Sequence, residues 1–112
     1  MIIEINQRKQ VAVVCVTGSI DGTTAPALTA ELHACVTSGN VYLVADLSGV
    51  DYTSSVGLRT LLATMKETRQ QGGDLRLSCV TPNVLKVLEL SGFTSIMKLY
   101  DDVDSAVNSY AV

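Results

Sequence analysis

The chain has 112 residues, of which 47% are hydrophobic and 17% charged, and 8 Lys and Arg against 11 Asp and Glu leave a formal charge of −3. This length suits one domain, spanning residues 1–112, that buries roughly two thirds of its unfolded surface and needs no metal or disulfide staple. The basic residues never form a run, Arg8-Lys9 being the single adjacent pair, so a phosphate-tracking nucleic-acid surface is excluded.

Cys15, Cys35 and Cys79 are odd in number and sit in apolar surroundings with no short Cys-Cys or Cys-His spacing. They read as reduced, buried thiols in a cytoplasmic protein rather than as a disulfide or zinc framework. No apolar run approaches the roughly 20 residues of a membrane span, and the opening MIIEINQRKQ is no export signal.

In chain order, Ile2 to Asn6 alternates apolar and polar, and Val11 to Val16 is a continuous, largely β-branched run, as for a hairpin turning at Gln7–Gln10. Thr23 or Thr24 is positioned to cap a helix near Pro26, with Leu28, Leu32 and Val36 at four-residue spacing until Gly39. Val41 to Ala45, ending at Asp46, is a short apolar run that predicts a central strand. The stripe Val56, Leu58, Leu61, Leu62, Met65 predicts the longest helix, closed by Arg69 and Gly72-Gly73. Leu75 to Val80 alternates as a strand. Thr81-Pro82 opens a helix that Gly92 closes, Ile96 to Leu99 suits a short edge strand, and Asp102 starts a last helix. Strands alternating with helices imply right-handed crossovers, so the fold class is α/β. The sheet should be mixed and mostly parallel, opened by an antiparallel hairpin, with about four helices mainly on one face.

Open α/β sheets gather function where strands end and helices begin. Two segments qualify. Gly18 to Thr24 follows the second strand and reads, on spacing alone, as a loop and helix cap. Asp46 to Leu58 places two carboxylates and four Ser and Thr hydroxyls around a helix N-terminus, where an anion is favoured and a hydroxyl is well placed to carry a phosphate. Ordinary N-capping by Ser54 or Ser55 is the competing explanation. Asp46 also stands where a receiver domain keeps its acceptor Asp, but the early acidic residues are isolated and Lys98 lies inside the last apolar run, so Asp46 reads as a cap or loop organiser. His33 reads as a helix surface residue without a metal-binding motif. Tyr52 either packs the loop or presents its ring, and Arg59 is either solvated or a contact to an acidic partner.

The string DLSGVDYTSSVGLRTLL over 46–62, with GSIDGTTAPAL over 18–28 and SGF over 91–93, resembles the STAS domain family, and within it the anti-sigma factor antagonists. The resemblance runs over essentially the whole chain in order and spacing. It implies a non-enzymatic regulator, without cofactor or metal, that docks unmodified onto an anti-sigma factor serine kinase, loses that partner when a serine is phosphorylated, and is restored by a serine phosphatase.

Family members carry Asp-Ser-(Ser/Thr)-Gly-Leu with the acceptor directly after the Asp. Aligned on Gly57-Leu58, Ser55 takes the acceptor position and Ser54 replaces the Asp, which leaves Ser54 as the alternative acceptor. Asp21 matches the family's docking carboxylate, and the implied partner surface covers Asp21, Gly22, Thr23, Tyr52, Thr53, Ser54, Ser55, Val56 and Arg59. A phosphate adds roughly −1.5 to −2 charges that a partner face fitted to a hydroxyl would repel. The alternative function is an unphosphorylated STAS module for protein interaction or a small ligand. Nucleic acid and membrane are not expected partners, and the chain should be a monomer or weak dimer.

Overall fold

Polar residues between two β-branched runs fold the chain back at once: in the computed structural model, which describes residues 1–111, β1 (Ile2–Arg8) pairs antiparallel with β2 (Val11–Thr17). Lys9 takes the left-handed conformation at φ 57° that so tight a turn requires. The chain continues through α1 (Ala25–Thr37), β3 (Tyr42–Gly49), α2 (Ser55–Gln70), β4 (Asp74–Ser78), α3 (Pro82–Leu90), a 3-10 turn at Phe93–Ser95, β5 (Leu99–Tyr100) and α4 (Val103–Asn108). Strand order is β1-β2-β3-β4-β5, and every pairing after the hairpin is parallel. The expected mixed sheet with four helices is therefore observed.

The alternation of each strand divides the core. Ala12, Val14 and Val16 of β2, Leu43, Ala45 and Leu47 of β3, and Leu75 and Leu77 of β4 face one side. There they meet Leu28 and Leu32 of α1, Leu58, Leu61 and Met65 of α2, and Val84 and Leu88 of α3. Each fully buried Leu of this layer contributes about 1.5–3 kcal/mol relative to exposure. The intervening residues Val11, Val13 and Val44 point to the opposite face, where α4 alone covers them with Ala106, Val107 and nearby Tyr110.

That smaller face is fastened by polar contacts. The buried Tyr110 hydroxyl lies 2.7 Å from the Leu43 carbonyl and 2.8 Å from that of Asp74, and the Arg76 guanidinium stacks 3.9 Å over the Tyr110 ring. Arg69 and Arg76 both donate to the buried Asp74 carboxylate.

Three boundaries differ from the sequence reading. β3 runs past Asp46 to Gly49, because Leu47 is fully buried and Thr17 pairs with Gly49. The last strand is Leu99–Tyr100 rather than Ile96 to Leu99. Gly92, left-handed at φ 76°, turns the chain into the 3-10 segment, and Arg69 holds the Ile96 carbonyl at 2.7 Å. β4 stops at Ser78, since Cys79 adopts φ 57°.

Candidate functional site

The segment after β2 is organised by one carboxylate. Asp21 Oδ1 accepts from the Thr23 hydroxyl at 2.7 Å, the Thr23 N–H at 2.9 Å and the Thr24 N–H at 3.2 Å. The Asp21 carbonyl accepts from the Ala25 N–H at 2.8 Å. Asp21 thus satisfies the N–H groups that open α1, a task the sequence reading gave to Thr23 or Thr24; Thr24 occupies the cap position without a capping bond from its side chain. The Thr24 hydroxyl instead donates to the Ser19 carbonyl at 2.7 Å. Hydrogen bonds from Thr23, and then from the Thr24 backbone, hold the Asp21 carboxyl below the usual carboxylate value.

Between β3 and α2 the two neighbouring serines separate. Ser54, half-buried and extended, is the N-cap of α2; its hydroxyl accepts from the Gly57 N–H at 3.4 Å. Ser55 is the first helical residue and is exposed, and among the described residues its hydroxyl has no hydrogen-bond partner. It stands at the N-terminus of a 16-residue helix with no acidic residue in its first turn, in a field that favours negative charge.

The two segments are joined through backbone. Ile20 and Thr53 form a parallel bridge in which the Ile20 N–H donates to the Tyr52 carbonyl at 3.0 Å and the Ser54 N–H donates to the Ile20 carbonyl at 2.8 Å. Gly18 N–H donates to the Gly49 carbonyl at 2.9 Å. Gly57 permits this approach, because a Cβ there would overlap Thr53 Oγ1 and lie 2.7 Å from Ile20 Cγ2 and 2.9 Å from the Ile20 carbonyl. Asp21, Gly22 and Thr23 are consequently held beside Tyr52, Ser54, Ser55 and Val56 on one end of the sheet.

Within that surface Thr53 is 3% exposed, so its side chain shapes the loop from beneath. Tyr52 is 54% exposed and presents its ring. Val56 is half-buried and Arg59 exposed. The Thr81 hydroxyl donates to the Val50 carbonyl at 2.7 Å and Asn83 Nδ2 donates to Asp51 at 3.3 Å, tying the loop to α3. Asp46, read from the sequence as a cap or loop organiser, instead lies within β3, paired with Cys15 and Ser78, and its carboxylate accepts from the Ser48 N–H at 3.0 Å.

Sequence reasoning missed two features. Ile20, fully buried, carries the stitching through its backbone; its signal was a lone β-branched residue inside GSIDG. An apolar groove of about 470 Å³ also runs from Gly22 along α1 and α2, lined by Ala25, Pro26, Thr29, Ala30, Val56 and Thr60. Small residues at three-to-four spacing on α1 were its only trace. At its far end, exposed His33 meets Glu67 at 3.1 Å, and the Thr29 and Thr60 hydroxyls lie 3.1 Å apart across the helices.

Cys15, Cys35 and Cys79 are free, and burial pushes each thiol above its ordinary value, with Asp46 adding to the effect at Cys15 and Cys79. Only Cys35 is fully buried; the other two are half-buried. No helix among the described residues is long and apolar enough to cross a membrane, and no side-chain group there has the composition to hold a metal ion.

The sequence model of the STAS domain matches residues 3–106. BtrV of Bordetella bronchiseptica, assigned as an anti-sigma factor antagonist, is 38% identical over 98 residues, 88% of this chain and 84% of BtrV. An anti-sigma factor antagonist from Mycobacterium paratuberculosis superposes with a TM-score of 0.88 at 32% identity, covering 96% of this chain and 92% of that one. The Bacillus cell fate determinant SpoIIAA matches in fold at 17–18% identity. Its unphosphorylated form gives a TM-score of 0.83 over 96% of this chain and 95% of its own, and its phosphorylated form 0.75 over 96% and 98%.

Proposed function

The chain belongs to the STAS domain family, and on that premise we propose that it is an anti-sigma factor antagonist whose docking is switched by phosphorylation of Ser55. The observation that carries this reading is the division of labour at the start of α2. Ser54 is committed to the cap, while Ser55 offers an exposed, unengaged hydroxyl at the positive end of the helix. Ser55 is therefore the acceptor, and Ser54, which stands where the family has Asp, is the cap of α2.

The partner is an anti-sigma factor that acts as a serine kinase. It docks over Asp21, Gly22, Thr23, Tyr52, Ser54, Ser55, Val56 and Arg59, with Thr53 supporting the loop from below. The apolar groove that begins at Gly22 and Val56 extends this surface and gives the partner somewhere to bury side chains. Asp21 supplies a fixed negative charge at its rim, oriented by the Thr23 and Thr24 bonds.

Phosphorylation leaves the domain folded, because a helix N-terminus tolerates a dianion. It blocks docking because the partner must then desolvate that dianion beside Asp21. A penalty of about 3 kcal/mol weakens binding more than a hundredfold, and a serine phosphatase reverses it. The chain is a substrate of the kinase and a binding protein rather than a catalyst, acting in the cytoplasm.

Intact-mass measurement of the protein from its native cell, with and without phosphatase treatment, tests the reading. A phosphate adding about 80 Da, mapped to Ser55 and absent from Ser55→Ala, is expected. Absence of any phosphoform under all growth conditions would favour an unmodified interaction or ligand-binding module instead.

A further inference from the structure

Away from the site, the opening strand is the one long edge of the sheet among the described residues, since β5 at the other margin has two residues against seven in β1. Its burial differs from that of β2 beside it. Six of the seven residues of β1 are exposed, while five of the seven in β2 are buried. Ile2 is 60% and Ile5 42% exposed, and Met1 adds 40%. Proteins commonly blunt such an edge with proline, a bulge, inward-pointing charges or a covering helix. β1 has no proline, pairs with β2 in unbroken register from Ile2–Thr17 to Arg8–Val11, and carries its single cationic side chain at its end.

The strand is also self-complementary. A second copy laid antiparallel about a twofold axis at Ile5 uses all seven residues. Residue i then opposes residue 10−i, so Ile5 meets Ile5, Ile3 meets Gln7 and Ile2 meets Arg8. Ile3 and Ile5 lie on the face that carries α1 to α3, where Ile3 already packs against the core. Glu4 and Arg8 share the opposite face, as does Asn6, which reaches Cys15, and Arg8 is held at 2.7 Å by Asp104 of α4. In this register each Glu4 lies diagonal to Arg8 of the second copy, within reach of long side chains. The net charge of −3 is thus no obstacle at the edge itself, where one acid and one base of each copy face their opposites.

We propose that β1 is a homodimerisation edge, at which two copies of this chain pair antiparallel about Ile5 to make one continuous sheet of ten strands, five from each copy. β1 contributes no residue to the surface at the start of α2, so pairing leaves both copies of that surface open, and the assembly presents two docking sites at once. A single strand pair buries little area compared with an obligate dimer. The association is accordingly weak and concentration-dependent.

Sedimentation velocity from about 10 µM to 1 mM tests this on the full chain. The wild type is expected to shift from monomer toward dimer over that range, and Ile5→Lys, which places two ammonium groups face to face on the axis, to remain monomeric at least tenfold higher in concentration. Because Ile5→Lys acts on a half-exposed residue, circular dichroism should report an unchanged fold. If it does not, the charge pair decides: Glu4→Arg and Arg8→Glu should each weaken the dimer, and the double variant should restore it. A wild type that stays monomeric at 1 mM overturns the proposal. So does a dimer indifferent to Ile5→Lys, or to the charge exchange where that variant fails to fold.

Discussion

Replacing each of the two neighbouring serines by alanine separates folding from signalling. Ser54→Ala removes the hydroxyl that accepts from the Gly57 N–H at 3.4 Å. N-cap deletions cost about 0.5–2 kcal/mol, and a bond this long belongs at the lower end, about 0.5–1 kcal/mol. With an unfolding entropy of about 2.1 cal/mol/K per residue over 112 residues, that loss lowers Tm by about 2–4 °C. Ser55→Ala removes a solvent-exposed hydroxyl at the first helical position and stays within about 0.5 kcal/mol of wild type. Phosphate incorporation should show the opposite pattern, being abolished in Ser55→Ala and retained in Ser54→Ala. Calorimetric melts paired with phosphopeptide mapping read both properties on the same two proteins. Equal destabilisation by the two substitutions, or a phosphate found on Ser54, would refute the division of roles between cap and acceptor.

Gly57→Ala should destabilise by about 1–2 kcal/mol, since crowding against Ile20 and Thr53 outweighs the gain of about 1 kcal/mol in helix propensity; chemical denaturation measures the difference. Tyr110→Phe strips the hydroxyl shared by the Leu43 and Asp74 carbonyls and should lower stability by about 1–2 kcal/mol. Burial raises the Tyr110 phenol, so its contribution is present below about pH 10 and lost as pH rises through the native value; the substitution should therefore flatten the alkaline limb of a urea titration series. The Asp21 carboxyl is depressed, so its contribution is present above about pH 4 and lost as pH falls through the native value. Asp21→Asn should be less stable than wild type at pH 6 and approach it at pH 3.

Much of this molecule could be read from the chain because its patterns agree across levels. Leu28, Leu32 and Val36 at four-residue spacing marked the buried stripe of α1, and the continuous run Val11 to Val16 marked β2, which is buried on both faces of the sheet. What escaped was set by tertiary contacts. The capping of α1 passed from Thr23 or Thr24 to Asp21 because the Thr24 hydroxyl oxygen already accepts from the Asp21 N–H while its proton goes to the Ser19 carbonyl, a pairing that no single-residue propensity encodes. The last strand slipped toward Tyr100 because Arg69, 27 residues away, holds the Ile96 carbonyl.

At the site, residue types were legible and their roles less so. The sequence placed Ser55 at the family's acceptor position with Ser54 as the alternative, and what it did not show is that Ser54 caps α2 while Ser55 stands exposed as the first helical residue. It offered Thr53 as a surface residue, where burial makes it a support. The groove between α1 and α2 arises from small residues on one helix facing Val56 and Thr60 of another, a juxtaposition invisible in one dimension.

The central claim concerns affinity, and the most direct measurement is titration calorimetry of the isolated partner kinase, without nucleotide turnover, against two forms of this chain identical except for phosphoserine or serine at position 55. Binding of the hydroxyl form and at least a hundredfold weaker binding of the phosphoserine form is the predicted result. Equal affinity of the two forms for that partner would contradict the switch.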